Sequence, residues 1–489
     1  MHERRRVSFG GMKRLLSFVL AVALATSGSA QNLPDLGESA QAGFSAQNER
    51  KLGEMIMREL RRDPAFLDDP EAQAFVESVG YKLVAAAGET RQAFDFFVLR
   101  DPSINAFAMP GGFVGVHSGL VLASQSEAEM ASVLGHEIAH VTQRHIARQL
   151  DKQSQMQMAA IAGLIIALLA ARSNPDISSA AIATTQAGAI QSALNYSRDL
   201  EREADRLGFQ YLAAAGYDVN GMVGFFERLQ RATRLQEYNA PAYLRTHPLT
   251  TERIADMQNR AAGARYRQQA DSLEFHLVRA KLRALQGNPR EAITAFENQL
   301  TDKRFVAEGP TRYGLAYSLY RAREFGRAES ELALVRKLAT NHSMIETLDA
   351  AIKLAKGNVD GAIDVLARVM KESGGRFPVA YGYVEALQAA GRHKDALVIL
   401  EDLIKLRPRD ARCHGLQAKS YASLGRRALQ HRSQSEVYYL QGALPAAIEQ
   451  LQLAQSAGDG DFYLLSAVDS RLRTLKAEYT EERRQQRRN

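Results

Sequence analysis

Between Ser126 and His145 the chain reads SEAEMASVLGHEIAHVTQRH. Ser124 followed by Glu127, and Ser126 followed by Glu129, each fit a capping box, in which two side chains bond free backbone N–H groups of a first helical turn. The pattern predicts a helix starting at one of these serines and running through His140 to about Leu150. His136 and His140 then lie one turn apart on one face, where two imidazoles reach a single ion, with Glu137 between them. Composition alone predicts about 0.03 matches to this pattern in such a chain, so coincidence is a poor explanation. Catalytic zinc normally takes three protein ligands and keeps a fourth position for water, so a third ligand must come from elsewhere. A metzincin is excluded, because Gln143 and Ile146 stand where that class has Gly and His. On an unbroken helix His145 falls about 140° round from His140, which predicts a surface or packing residue.

Upstream, helical patterning covers Glu49 to Leu60 and Glu71 to Ala87, and three short strands follow at Phe94–Leu99, Asn105–Met109 and Gly112–Val116. Aromatic and branched residues alternate there between Pro and Gly breaks, as nowhere else in the chain. Downstream, Met158 to Ala171 is uncharged but too short to cross a bilayer, and predicts a buried or interfacial helix. The Ala-rich Ile177 to Ala193 is expected to be mobile, and helix resumes from about Arg198 to Ala214, ending at Gly216.

At the N-terminus, basic residues, an apolar run from Leu15 to Ala25 and the small Gly28, Ser29 and Ala30 give the layout of a cleaved signal peptide, residues 1–30. The single thiol, Cys413, excludes an internal disulfide and is expected as a small apolar residue in a helix pair. From about Ser272 a period appears: Ala292, Ala328, Ala362 and Ala396 recur in one local setting, and Ala447 follows after a longer gap. Gly287, Gly357, Gly391 and Gly442 stand five positions before four of these, with Arg323 as the exception. A recurrence near 34 residues is that of tetratricopeptide repeats, and the last gap predicts one extra or lengthened helix before Gly442. The net charge of +7 sits at the two ends; the body is balanced and offers no footprint for nucleic acid.

The run SRDLEREADRLG, Ser197 to Gly208, places Glu201, Glu203 and Asp205 on a later helix; alone it reads as a solvated charged face. HExxH followed by ExxAD, however, resembles the gluzincin metalloproteases of the HtpX and CAAX prenyl protease superfamily, and the signal peptide and repeats resemble its exported, repeat-bearing members. The resemblance implies a mainly α fold with a small β-sheet, a gluzincin-type domain at 31–262, an α-solenoid of tetratricopeptide repeats at 263–475 and a basic tail at 476–489. It implies one Zn²⁺ per chain on His136, His140 and Glu201, with Asp205 orienting a ligand from behind. NAFAMPGG resembles the family's strand beside the cleft, where an extended substrate adds as another strand along Asn105, Phe107, Pro110 and Gly111. THPLTTERI, Thr246 to Ile254, matches His247 and Arg253 to active-site positions.

The activity so implied is endopeptidase cleavage in the periplasm, with Glu137 as general base and His247 or Arg253 stabilising the oxyanion. His247 has a second possible role, closing the fourth zinc position at rest. The implied partners are unfolded or misassembled outer-membrane proteins and their assembly machinery, with peripheral membrane contact. The repeats also admit a different class of function, a chaperone-like polypeptide-binding scaffold whose protease site is latent.

Overall fold

The computed structural model describes residues 45–89, 92–150, 197–235, 241–265, 269–338 and 341–488. The signal peptide, the apolar run 158–171 and the Ala-rich 177–193 lie outside the described residues. Two helices open the N-terminal module, α1 (Ala46–Leu60) and α2 (Pro70–Ala87). Asp69 caps α2 by accepting from the amides of Glu71 and Ala72, Pro70 fills the first position, and Gly88 ends it in the left-handed region. The strands β1 (Asp95–Leu99), β2 (Ala106–Met109) and β3 (Phe113–His117) form one sheet in the order β1-β3-β2, β1 parallel and β2 antiparallel to β3. This leaves β2 on an edge.

Helices α3 (Ser118–Ala123), α4 (Glu127–Thr142), α5 (His145–Leu150), α6 (Arg198–Ala214), α7 (Asn220–Leu235), α8 (Ala242–Thr246) and α9 (Thr251–Gly263) complete the module. Of the two expected starts for α4, the fold uses Ser126, whose hydroxyl accepts from the Glu129 amide at 3.2 Å; Ser124 instead donates to the Leu120 carbonyl. Helix α4 is buried on every side from Ala128 to Thr142, as a central core helix must be. The expected run to Leu150 is broken. Arg144 takes a left-handed φ of 51°, which no α-helix can carry, and α5 starts afresh at His145.

Helical hairpins follow: α10 (Leu273–Ala284), α11 (Pro289–Thr301), α12 (Glu308–Arg321), α13 (Phe325–Leu338), α14 (Ser343–Ala355), α15 (Val359–Glu372), α16 (Phe377–Ala389), α17 (His393–Leu406), α18 (Ala411–Ser423), α19 (Arg427–Leu440), α20 (Leu444–Ser456) and α21 (Phe462–Arg488). The five recurring alanines are all buried. Gly287, Gly357, Gly391 and Gly442 have positive φ, and so does Arg323, the residue that breaks their pattern. The long gap before Gly442 holds three helices, α17 to α19, where the earlier intervals hold two. Cys413 is fully buried beneath Tyr381, and burial pushes its thiol up to about 12. Residues 476–488, expected as a tail, continue α21, and Glu478 and Glu482 accept from Arg58 of α1 at 3.1 and 3.0 Å.

The repeats curl around α1 and α2. Lys281 of α10 is buried between Asp69 and Glu71 at 2.6 and 2.7 Å, and Thr347 of α14 also reaches Glu71. Farther along, Arg407 grips Glu77 at 2.9 Å, and Arg62 donates to the Gln441 carbonyl at 2.6 Å. One buried apolar cluster runs from Leu67 through Phe275 to Ile352, so the N-terminal module and the first repeats share a core.

Candidate metal centre

Four side chains from three places in the chain meet inside this core. His136 and His140 come from α4, Glu201 from α6 and His247 from the end of α8, and one donor atom of each lies within 4.8 Å of all the others. The Nε2 atoms of His136 and His140 face one another at 2.9 Å. His247 Nδ1 stands 2.9 Å from Glu201 Oε1 and 3.3 Å from His136 Nε2, and Glu201 lies 3.5 and 3.4 Å from the two α4 histidines. All four residues are 1 or 2% exposed. Imidazole lone pairs converging with a carboxylate in a dry interior have no mutual reason to do so, and the donor set fits a zinc-like cation.

Two close approaches create this geometry. A Cβ on Gly208 of α6 would lie 2.9 Å from the His136 amide nitrogen, and one on Gly135 would lie 3.1 Å from the Gly208 carbonyl. The α4–α6 crossing is therefore glycine on glycine, which brings Glu201 and Asp205 to the histidines. Neither glycine is marked by any spacing pattern, although Gly135 directly precedes the histidine motif. Below α6, Tyr243 stacks on His247 with ring centroids 4.6 Å apart, another partner the sequence did not flag.

Behind the cluster, Asp205 Oδ1 lies 2.9 Å from His136 Nδ1. Arg253 donates to Asp205 through Nε and Nη2 at 2.6 and 2.8 Å, and its Nη1 meets Glu201 Oε2 and the Pro248 carbonyl, both at 2.8 Å. Its guanidinium is engaged with these acceptors. Arg253, expected to stabilise the oxyanion, here bridges the carboxylates of Asp205 and Glu201. His145, expected as a surface or packing residue, is fully buried with Nδ1 2.8 Å from His140 Nδ1.

Glu137 is fully buried. Its Oε2 accepts from the Ala108 amide of β2 at 3.0 Å, and Oε1 has no hydrogen-bond donor among the described residues, with His247 Nε2 at 3.4 Å. The Ala108 amide thus points off the free edge of the sheet toward the site. Of the other residues expected along this strand, Phe107 packs edge-on against Phe97, and Asn105 lies just before β2, its carbonyl accepting from the His117 amide. Pro110 and Gly111 fall past the strand end and pack on α1: the Pro110 carbonyl abuts Gly53, and the Gly111 carbonyl accepts from Arg50 at 2.7 Å. They form a docking turn, so the open edge is shorter than NAFAMPGG predicts.

Charge follows the geometry. Burial disfavours protonated His136, but hydrogen bonds to Asp205 and Glu201 prevail and push it up to about 10. Burial lowers His140 well below its usual value, and raises Glu137 against the pull of His247 and His136. Burial opposes ionised Glu201, yet His247, His136 and His140 together hold its carboxyl well below the usual range. A carboxylate kept ionised among histidines with a second carboxyl raised above it is an arrangement for ligation beside general-base chemistry.

A buried HExxH pair completed by a glutamate from a second helix, on a helical fold with a small mixed sheet, defines a metallopeptidase. The chain belongs to peptidase family M48, whose model matches residues 70–261, and residues 353–420 match a tetratricopeptide repeat model. Among curated proteins it is 39% identical to the putative beta-barrel assembly-enhancing protease of Vibrio cholerae over 65% of this chain and 66% of that one. It is 31% identical to the beta-barrel assembly-enhancing protease of Escherichia coli over 89% of each. A more distant relative is the mitochondrial metalloendopeptidase OMA1 of Schizosaccharomyces pombe, 30% identical over 38% of this chain and 51% of that one.

Proposed function

We propose that the chain is a periplasmic zinc endopeptidase, delivered by cleavage of residues 1–30, that removes unfolded or misassembled outer-membrane proteins during their assembly. The named activity of the relatives supports the assembly context, and among the described residues no helix is long and apolar enough to cross a membrane. The observation that carries the catalytic part is the convergence of His136, His140, Glu201 and His247 within 4.8 Å beside buried Glu137. His136, His140 and Glu201 hold one Zn²⁺, which when bound supplies an acidified water and a polarised scissile carbonyl. Glu137 Oε1 removes the proton of the attacking water, Oε2 remaining anchored on Ala108, and Glu137 then delivers it to the leaving amine as the C–N bond breaks. The free edge of β2 receives the substrate backbone as an added strand. Asp205 and Arg253 keep His136 and Glu201 in register.

His247 closes the site at rest. Its Nδ1 lies 2.9 Å from Glu201 Oε1 and 3.3 Å from His136 Nε2, so it would compete with water for a cation held by those residues. His247→Ala should raise proteolysis with the metal retained; unchanged or lower proteolysis with metal retained would count against a closed resting site. The repeats bind clients or the assembly machinery through surfaces other than the side that faces α1 and α2. The reading is tested by incubating the purified mature chain and its Glu137→Gln variant with an unfolded outer-membrane porin. Cleavage by the parent, falling about 10²–10⁴-fold in the variant with zinc retained, supports it; equal cleavage by both would refute the general-base assignment.

A further inference from the structure

Asp205 braces His136 from behind, and His140 has a different support. We propose that His145 and Glu203 form a two-residue brace fixing the ring and tautomer of His140, and that Glu49 of α1 sets this brace by pinning the left-handed Arg144. The proposal rests on the metal-site reading above.

His140 turns its two nitrogens in opposite directions. Nε2 faces His136 Nε2 at 2.9 Å and Glu201 Oε1 at 3.4 Å, while Nδ1 lies 2.8 Å from His145 Nδ1. Two neutral imidazole nitrogens at that distance share one proton, so one donates and the other accepts. A lone pair must stand on His140 Nε2 for a cation to bind there, which places the proton on Nδ1 and makes it the donor. His145 Nδ1 then accepts, and its own proton sits on Nε2, facing Glu203 Oε2 at 3.2 Å. Arg148 Nη1 holds the same carboxylate oxygen at 3.1 Å. Every hydrogen bond in the chain has a single consistent direction, ending on a carboxylate that is itself held.

The break between α4 and α5 is what brings His145 to this place. On a continuous helix it would project away from His140. A left-handed conformation is disfavoured for a residue other than glycine, so the turn at Arg144 needs a compensating contact. That contact is present: Arg144 is 7% exposed, and its Nε and Nη2 lie 3.3 and 3.2 Å from Glu49 Oε2. The first described helix therefore reaches the metal centre through one buried ion pair and one backbone turn.

Groups that orient a metal ligand from behind typically change metal affinity about 10–100-fold when removed. Zinc affinity by chelator competition and the melting temperature of the metal-free protein are to be measured for the mature chain and for His145→Ala, His145→Gln, Glu203→Gln and Glu49→Gln. His145→Ala should weaken zinc about 10–100-fold. His145→Gln, whose side-chain carbonyl still accepts from His140 Nδ1, should recover most of the loss, and Glu203→Gln and Glu49→Gln should each weaken zinc several-fold. A variant set that melts lower but binds zinc as the parent does overturns the brace, since packing alone would produce that result. So does His145→Gln binding as poorly as His145→Ala. Should His145→Ala not fold, unchanged zinc affinity in Glu203→Gln overturns it. A parent chain that takes up no zinc defeats the metal-site reading itself, which is a separate outcome.

Discussion

The buried ionisable groups around His136 set a condition on the protein without metal. The folded-state value of His136, about 10, lies above its ordinary 6.5. The protonated ring therefore stabilises the fold fully below pH 6.5, and this contribution is lost as pH rises toward about 10. Metal-free protein should accordingly melt at falling temperature across that interval, and His136→Asn should flatten the slope; parallel profiles for the two would contradict the assigned interactions. Bound zinc replaces this proton, so loading at neutral pH should release protons, read as a dependence of the calorimetric heat on the buffer's ionisation enthalpy. At this scale the sequence was legible where geometry is local. His136, Glu137 and His140 share one helix, and helical spacing alone places them. His145 was not legible, because its position depends on the φ of Arg144, which no residue type announces. The engagement of Arg253 with Asp205 and Glu201 was equally hidden, being a matter of which acceptors the fold brings within reach.

Elements meet at the α4–α6 crossing, where Gly208 leaves no room for a side chain and Gly135 little. Gly208→Ala would set a methyl against the backbone of His136, which cannot yield as a flexible side chain would. The helices must part, at a cost of about 1–3 kcal/mol, and Glu201 must retreat from the histidines. The expected result is lowered thermal stability together with loss of zinc; retention of both would mean that the crossing tolerates more separation than the contacts allow. Element boundaries were readable where special residues mark them. Pro and Gly breaks delimited the three strands, and the half-repeat gap before Gly442 announced α19. Arg323 shows the limit of such marks, adopting the turn conformation its glycine counterparts adopt without their signature. That β2 takes the edge followed from the family resemblance of NAFAMPGG and not from the segment itself, since order in a sheet is a property of pairing partners.

The whole molecule is tied together by buried charge. Lys281 reaches from the first repeat to Asp69 and Glu71 of the catalytic module, and removing it strands two carboxylates in a dry interface. Lys281→Met should destabilise the protein by about 3–5 kcal/mol, measured by denaturant unfolding, far more than a surface ion pair contributes. A change within 0.5 kcal/mol, roughly the range of surface substitutions, would show that the modules are held by other contacts. The repeats themselves were evident from their period, but their curl around α1 and α2 was not, because it rests on pairs such as Arg407 with Glu77 and Arg58 with Glu482 that lie far apart in the chain. The central claim is that α4 and α6 together hold one catalytic metal ion. Metal analysis of the purified mature chain beside its Glu201→Ala variant tests it most directly: about one zinc per chain is predicted for the parent and little for the variant, whereas full zinc in Glu201→Ala, or none in the parent, would contradict it.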